Sequence, residues 1–258
     1  MSRRRRRPVN AIVFAVVAII AIAIFSRARD ENAGGGDGAD RASRALDAAV
    51  TPESTAPERE GLAAAILIDV SGSMRERAGG DDGQPKIVSA RRAALDLVGQ
   101  FARYAEDHKT ESVLLGIYAF SDASGQPDLR EVIPMGPPDR IRAASAVQAM
   151  EADGGTPIGN AMIAGKKALD ATGLSRRHLL VVTDGENTTG PAPDEVTAAI
   201  GRRPLDEQPS VYFVAFDIAA SRFDRVRDAG GLVLGAVDAK ALNETLDSLL
   251  RGKILIER

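Results

Sequence analysis

From residue 61 to the C-terminus, continuous apolar runs alternate with segments whose apolar residues recur at helical spacing. The runs are six to eight residues long and contain few polar positions, as strands buried on both faces of a sheet do. We therefore predict interior strands from them. They are LAAAILI at 62–68, VLLGIYAF at 113–120, HLLVVT at 178–183 and VYFVAF at 211–216.

Between the runs, apolar residues three or four positions apart predict helices that pack one face against the sheet. Pro85 and Pro157 stand where two of these helices start, and proline suits a first helical position because that amide needs no partner. Strands that alternate with helices predict an α/β fold, with a doubly wound, mostly parallel sheet flanked by helices. We predict helices over 85–105, 140–150, 156–169, 194–200, 223–229 and 240–250, and shorter strands at 129–133 and 232–234.

The N-terminus has the pattern of a membrane segment. The uncharged, mostly apolar stretch 8–26 is 19 residues long, or about 28 Å as a helix, which is close to the thickness of a hydrocarbon core. Five consecutive arginines precede it and should stay cytoplasmic, which places the rest of the chain on the extracytoplasmic side. We predict a single-pass signal anchor, one transmembrane helix, over 1–26 in the cell membrane. The alternative is a signal peptide cleaved near Ala21-Ile22-Ala23, which would leave a secreted protein.

Residues 27–60 are rich in Ala, Gly, Asp, Arg, Pro and Ser, and Leu46 and Val50 are their only large apolar residues. Such a composition predicts a tether or weak helix because it cannot form a core. The sequence thus divides into an anchor over 1–26, a flexible linker over 27–60 and one α/β domain over 61–258.

The charge balance argues against nucleic acid as a partner. Outside the five N-terminal arginines, 28 basic residues face 36 acidic ones, whereas nucleic acid requires a basic face. The chain has no cysteine, which excludes disulfides, thiolate metal sites and a cysteine nucleophile. Aromatic residues make up only 4% of the chain and include no tryptophan, so a stacking platform for single strands is not expected.

Oxygen-bearing residues follow the predicted strands, and in a doubly wound sheet the binding site lies at the carboxyl ends of the strands. The first strand runs into Asp69, Ser71 and Ser73. A later loop carries Thr156 just before a helix, and another strand ends at Asp184. Two carboxylates and three hydroxyls describe a site for a hard cation, because oxygen ligands suit magnesium, manganese or calcium better than zinc or copper. Few carboxylates among several hydroxyls favour Mg²⁺ or Mn²⁺ over Ca²⁺, since the smaller ions keep bound waters.

These three stretches resemble the metal-ion-dependent adhesion site of von Willebrand factor A domains, in order and in spacing. The resemblance covers residues 62–250 and implies the Rossmann-like fold of that family. The matching elements are Asp69-x-Ser71-x-Ser73, Gly155-Thr156 and Thr183-Asp184-Gly185.

The resemblance also implies roles for the individual residues. Asp69, Ser71 and Ser73 would be direct metal ligands. Thr156 would join them when a partner is bound, and Asp184 would bind directly or through water. An acidic residue of the partner would complete the metal shell. If Asp184 retreats behind a water and Thr156 coordinates instead, the ion loses one directly neutralising charge and attracts an outside carboxylate more strongly.

The sequence therefore predicts a non-enzymatic, metal-dependent protein-binding module, tethered to the membrane, whose partner is a protein that offers a carboxylate. Similar membrane-anchored bacterial proteins are associated with MoxR-type ATPases, which makes such a system a candidate partner. The alternative is a phosphotransferase or hydrolase of haloacid dehalogenase-like topology, in which an aspartate also ends the first strand. That chemistry needs a second acid two positions on, where this chain has Ser71.

Four residues have other interpretations, and His178 is the one among them that is expected away from this edge. Thr156 would also serve as the N-cap of the helix that follows it. Asp217 ends a strand on the same edge and is a candidate for an outer contact with the ligands. Glu186 is expected to be solvated at the rim. His178 is expected to begin its strand, far from the site, with a structural role.

Overall fold

The computed structural model describes residues 37–53, 58–79, 83–124 and 128–256. The predicted signal anchor over 1–26 lies outside these ranges and stays a prediction. Within the described ranges, no helix combines the length and the apolar character that crossing a membrane requires.

Contacts divide the chain into two units, of which the first is Met1–Ala49. It contains helix α1 (Asp37–Ala49), which lies inside the segment that the sequence describes as a tether or weak helix. Alanine and arginine recur along this helix and are good helix formers. An ion pair between Asp40 and Arg44, one turn apart, adds to its stability.

The second unit, Val50–Arg258, contains the sheet. Its described residues form six strands: β1 (Arg59–Asp69), β2 (Ser112–Phe120), β3 (Leu129–Gly136), β4 (Leu174–Thr183), β5 (Ser210–Phe216) and β6 (Leu232–Ala236). They make one sheet in the order β3-β2-β1-β4-β5-β6. Strand β3 pairs with β2 in the antiparallel sense, and every other pairing is parallel.

Strand β1 lies inside the sheet between β2 and β4, and all its residues from Gly61 to Asp69 are buried. The continuous apolar run in the sequence is therefore a strand covered on both faces, as predicted. Strand β3 is instead half-exposed and contains Pro134. Proline is tolerated there because an edge strand has one side without ladder hydrogen bonds.

Helices pack on both faces of the sheet. Their bounds are α2 (Lys86–Asp107), α3 (Arg140–Gln148), α4 (Ile158–Asp170), α5 (Pro193–Gly201), α6 (Asp224–Asp228) and α7 (Ala239–Leu249). Ile66 and Ile68 of β1 share one apolar core with Leu97 of α2 and Leu246 of α7.

The opposite face of β1 lies against α4 at very short range. A Cβ placed on Gly165 would lie 2.7 Å from Leu179 Cδ1 and 3.0 Å from Leu67 Cδ2. Glycine at this position lets the helix backbone come this close without displacing the two leucine side chains. Because α4 begins beside the carboxyl edge of the sheet, this packing fixes the position of the loop that precedes it.

The predicted mostly parallel α/β sheet flanked by helices is confirmed, and most element ends differ from the prediction by a few residues. β1 already begins at Arg59, inside the predicted linker. The expectation that His178 begins its strand is wrong, because β4 starts four residues earlier, at Leu174. The charged start of β4 hid this extension. Arg177 can lie in the strand because its guanidinium pairs with Asp170 at 3.3 Å.

Candidate metal centre

Three neighbouring strands lead to aspartates at one edge of the sheet. Asp69 is the last residue of β1, Asp184 follows β4 and Asp217 follows β5. Because these strands are adjacent and parallel, their carboxyl ends meet at the same edge. The fold thus brings the three carboxylates to the edge at which binding sites of such sheets form.

Side-chain oxygens organise the loop after β1. Asp69 Oδ1 accepts a hydrogen bond from the Ser71 amide at 2.7 Å, and the hydroxyl oxygens of Ser71 and Ser73 lie 3.1 Å apart. A 3-10 turn begins at Gly72 and buries Met74 completely. The buried methionine anchors the turn, so three oxygen-bearing side chains remain side by side.

The loop before α4 is joined to the first loop through its backbone. The Gly72 amide donates to the Gly154 carbonyl at 2.8 Å. Gly154 has a φ of 79°, and a Cβ there would lie 2.5 Å from the Ala123 nitrogen, so the position requires glycine. This close approach brings Thr156, two residues further on, to the same edge.

The loop after β4 is joined to β1 and to the first loop by side-chain hydrogen bonds. The Ser73 hydroxyl donates to Asp184 Oδ1 at 2.8 Å. The Thr183 hydroxyl donates to Asp69 Oδ2 at 2.6 Å. Each aspartate therefore has one carboxylate oxygen fixed by a hydroxyl donor.

The three loops border one small space. A Cβ placed on Gly185 would lie 3.4 Å from Thr156 Oγ1 and 3.9 Å from Ser73 Oγ. The Thr188 amide donates to the Thr156 carbonyl at 3.0 Å, which links the second loop to the third. The structure thus brings together the five residues that the sequence singles out: Asp69, Ser71, Ser73, Thr156 and Asp184.

Asp69 gives the site its electrostatic character. The residue is fully buried, and burial raises its pKa to about 7 although the hydrogen bonds from Ser71 and Thr183 act in the opposite direction. The nearby Asp184 charge also raises this pKa. A cation beside Asp69 would stabilise the ionised carboxylate.

The donor set fits a hard cation. Among the described residues, no group of three or more histidine, cysteine or acidic side chains is arranged to hold a metal ion. An ion at this edge would therefore take hydroxyl as well as carboxylate oxygens, and such neutral oxygen ligands suit Mg²⁺ or Mn²⁺ with part of its water shell. The residues that would hold it are the five named above.

Lys86 is a member of the site that the sequence interpretation missed. It is the first residue of α2, and its Nζ lies 3.0 Å from Asp184 Oδ2 and 3.2 Å from Asp217 Oδ2. Burial acts to lower the pKa of Lys86, but the two aspartates outweigh it and the pKa is raised. Asp217, predicted as an outer contact, thus reaches Asp184 through this ammonium group.

A signal for Lys86 does exist in the sequence. The lysine stands four residues before Ala90 and eight before Ala94, on the face of α2 that is buried. A lysine at the head of an apolar helical face is a candidate for a buried ion pair, because an isolated buried charge is unfavourable.

Asp122 and Thr188 are two further residues that the sequence interpretation missed. Asp122, just beyond β2, accepts a hydrogen bond from the Gly155 amide. The Thr156 amide donates to the Thr188 hydroxyl at 2.7 Å. The two side chains thus fix the backbone on either side of the Thr156 position. A polar residue that follows a predicted strand on this edge was the available signal for Asp122.

The geometry of the site bears on the alternative roles of Thr156, Glu186 and His178. Helix α4 has Pro157 at its cap position, and in its first turn the Gly159 amide donates to Asn187 Oδ1 at 3.3 Å. The interpretation of Thr156 as the N-cap is therefore wrong. Glu186 is exposed, as expected, and pairs with Arg222 at 3.2 Å. His178 is buried inside β4, with its Nδ1 3.4 Å from the Tyr212 hydroxyl.

A known family of domains matches the part of the chain that contains these loops. Residues 64–186 match the von Willebrand factor type A domain. The matched segment is just under half of the chain and runs from β1 to the loop after β4, so it includes the five residues of the site. A comparison with curated proteins gives no match.

Solved structures support the type A domain fold. The PilB minor pilin from Streptococcus sanguinis aligns with a TM-score of 0.60 at 12% identity, over 76% of this chain and 62% of the pilin. BatB from Bacteroides thetaiotaomicron aligns with a TM-score of 0.52 at 16% identity, over 74% of this chain and 100% of BatB. A von Willebrand factor type A protein from Catenulispora acidiphila aligns with a TM-score of 0.50 at 22% identity, over 74% of this chain and 42% of that protein. The chain spans about three fifths of the pilin, and at these identities the likeness concerns the fold alone.

Proposed function

We propose that this chain is a metal-dependent protein-binding module that captures a protein partner through a carboxylate. One observation carries the proposal: three loops from separate parts of the chain converge on one space and bring five oxygen-bearing side chains to it. The match to the type A domain supports an interaction or adhesion module in general. The metal ion and the partner's carboxylate go beyond that match, and these two parts of the proposal rest on the side chains of the site.

The charges of the site support a divalent ion. Asp69 and Asp184, when ionised, together carry two negative charges that balance the two positive charges of the ion. Ser71, Ser73 and Thr156 contribute neutral oxygens. Mg²⁺ or Mn²⁺ is favoured over Ca²⁺, because they keep waters that a partner's carboxylate can replace. Such an exchange requires no covalent chemistry, and we assign no catalytic role to any side chain.

The rim of the site supports a protein as the partner. Arg75 pairs with Asp153 at 2.8 Å, and Arg222 pairs with Glu186 at 3.2 Å, with all four side chains more than half exposed. Exposed ion pairs contribute little to the stability of the fold. Their charged groups are therefore free to change partners, and a polar rim of this kind is typical of protein interfaces.

Membrane attachment is the second part of the proposal. The segment 1–26 would anchor the module in the cell membrane with the domain on the extracytoplasmic side, and secretion after cleavage is the alternative. An aerotolerance-related membrane protein from Bacteroides fragilis and a pilus adhesin from Lactobacillus rhamnosus GG share the fold, at 16% and 14% identity. The first is named as a membrane protein and the second as a pilus adhesin, which agrees with a surface role. A MoxR-type ATPase system remains a candidate partner. We do not propose nucleic acid as a partner.

Metal uptake by the full chain, purified in a mild detergent, tests this function. Titration calorimetry with Mn²⁺ should detect one site in the wild type, and capture of partners from native membranes should require Mg²⁺ and be abolished by EDTA. Asp69→Ala should remove both, and Asp107→Ala, an exposed aspartate at the far end of α2, should remove neither. Undiminished, Mg²⁺-dependent capture by a folded Asp69→Ala protein would refute the mechanism.

A further inference from the structure

Lys86 contacts the candidate metal centre from inside the protein. Its side chain is 7% exposed, and its ammonium lies 3.0 Å from Asp184 Oδ2 and 3.2 Å from Asp217 Oδ2. A third carboxylate, that of the mostly exposed Glu76, lies 3.6 Å away. One of these three acids is a proposed metal ligand, so a permanent positive charge stands beside the place where a cation would bind.

Asp184 divides its two oxygens between the site and the lysine. Oδ1 accepts the hydrogen bond from the Ser73 hydroxyl at 2.8 Å, and Oδ2 faces the Lys86 ammonium. A carboxylate held in this way can offer one oxygen to the space between the loops, whereas the other stays with the lysine. The ammonium also offsets part of the negative charge that Asp184 would present to an ion.

The fold holds this arrangement in place. The Lys86 amide donates to the Glu76 carbonyl at 2.8 Å, which fixes the start of α2 against the first loop. Asp217 has a φ of 55°, an uncommon conformation for a residue other than glycine, and its Oδ1 lies 3.4 Å from the Gly79 amide. Because its neighbours are fixed at both ends, Lys86 is held between the two aspartates.

We propose that Lys86 is a positioning residue that limits the negative charge the centre offers to a metal ion. It holds Asp184 in an orientation that offers one oxygen, and as a built-in cation it leaves a bound ion incompletely neutralised. The ion is then bound more weakly than the carboxylates alone would bind it, and it attracts a partner's carboxylate more strongly. This inference rests on the proposed function, because it concerns the same site.

Charge substitutions on either side of the lysine should change metal affinity in opposite directions. Lys86→Met removes a positive charge close to the ion and should tighten Mn²⁺ binding by about tenfold or more. Asp217→Asn removes a negative charge that pairs with the same lysine as Asp184. It should weaken Mn²⁺ binding severalfold although Asp217 is not a ligand. The double variant removes a neutral pair and should bind Mn²⁺ about as the wild type does.

Lys166→Met is a matched control. Lys166 is also buried and pairs with an aspartate, Asp170, at 2.6 Å. Its ion pair adjoins Arg177, which lies seven residues before Asp184 along β4, or roughly 20 Å at the rise of a strand. The same chemical change at this distance should leave the Mn²⁺ affinity unchanged. A shift as large as that of Lys86→Met would mean that loss of any buried lysine alters the protein in general.

The test is titration calorimetry of the full-length variants with Mn²⁺, together with thermal unfolding in EDTA to verify the fold. Tighter binding by Lys86→Met and weaker binding by Asp217→Asn support the proposal. If Lys86→Met binds Mn²⁺ like the wild type or more weakly, Lys86 does not limit the charge and the proposal fails. If Lys86→Met does not fold, Asp217→Asn decides alone, and an unchanged affinity overturns the proposal.

The same experiment separates this proposal from the proposed function. If the wild type binds no Mn²⁺ but Lys86→Met does, the proposed function fails for the native chain, whereas the role of Lys86 stands in a stronger form. If neither binds, both proposals fail. If all variants bind equally, the metal site stands and only the role of Lys86 is refuted.

Discussion

Replacement of Asp69 by asparagine should make the metal-free protein more stable. The introduced asparagine would keep a carbonyl oxygen for the Ser71 amide, which now donates to Asp69 Oδ1 at 2.7 Å. Its amide group would face the Thr183 hydroxyl, which can accept that hydrogen bond and donate to the Gly185 carbonyl 3.0 Å away. The substitution therefore removes the buried charge and leaves the hydrogen bonds satisfied.

The pKa of Asp69 gives the size of the effect. Burial raises this pKa from 3.8 to about 7, and at 1.36 kcal/mol per unit the ionised form is disfavoured in the folded state by about 4 kcal/mol. A raised pKa means that the folded state keeps its proton longer than the unfolded state. The contribution of Asp69 to stability is therefore fully present below pH 3.8 and is lost as the pH rises through about 7. The gain from Asp69→Asn is thus expected at pH 8 and should vanish towards pH 4.

His178 has the opposite pH dependence and must be separated from that of Asp69. Burial, aided by the Arg176 charge, lowers the pKa of His178 from 6.5 to about 3, so acid destabilises the fold in the same pH range. In the wild type the two effects partly cancel. The difference in unfolding free energy between wild type and Asp69→Asn removes the His178 contribution, because the two residues are distant and their effects should add.

Urea unfolding at pH 4 and pH 8, in EDTA and in Mg²⁺, measures these differences. At pH 8 in EDTA, Asp69→Asn should unfold at a higher urea concentration than the wild type, whereas Asp153→Asn, an exposed acid of the same edge, should not. Mg²⁺ at about 100 times its Kd should stabilise the wild type by about 2.7 kcal/mol and leave Asp69→Asn unchanged. An Asp69→Asn protein that is no more stable than the wild type in EDTA at pH 8 would refute the reasoning.

Two further predictions concern the loops of the site. Thr156→Ala should weaken Mg²⁺-dependent partner capture severalfold or more while the urea midpoint changes little, because this hydroxyl does not cap α4; an equal loss of binding and stability would contradict the separation. Gly159→Ala should lower the free energy of unfolding by about 1–3 kcal/mol or more, because its Cβ would lie 2.0 Å from the Pro191 carbonyl oxygen. Gly252→Ala, with nothing within 4 Å of its Cβ, is the matched control, and equal urea midpoints for the two variants would contradict the clash.

The sheet and its functional edge could be predicted because both follow from strong local patterns. Apolar runs without polar interruption mark strands covered on both faces, and β1 is such a strand. Parallel strands then bring their carboxyl ends to one edge, so residues that follow β1 and β4 become neighbours although 115 positions separate Asp69 from Asp184. The direction of the strands is sufficient for this step, and no detail of side-chain packing is required.

The sequence pattern did not predict the environment of residues that depend on a partner far along the chain. Lysine is usually exposed, and Lys86 is buried only because Asp184 and Asp217, which follow two later strands, neutralise it. The start of β4 was missed for the same reason, since Arg177 depends on Asp170. Such ion pairs exist only once the fold has formed, so hydrophobic periodicity does not reveal them.

The buried charge of Asp69 also distinguishes a binding site from an ordinary turn. If Asp69, Ser71 and Ser73 served only to shape the turn after β1, an acceptor for the Ser71 amide would be sufficient, and asparagine would supply it without an ionisable group. The structure instead holds a carboxylate that burial destabilises, next to a second carboxylate, Asp184. Local features that oppose stability are expected where function requires them. A hard cation gives this charge a function, because the ionised carboxylate that weakens the metal-free fold is the ligand that the ion needs.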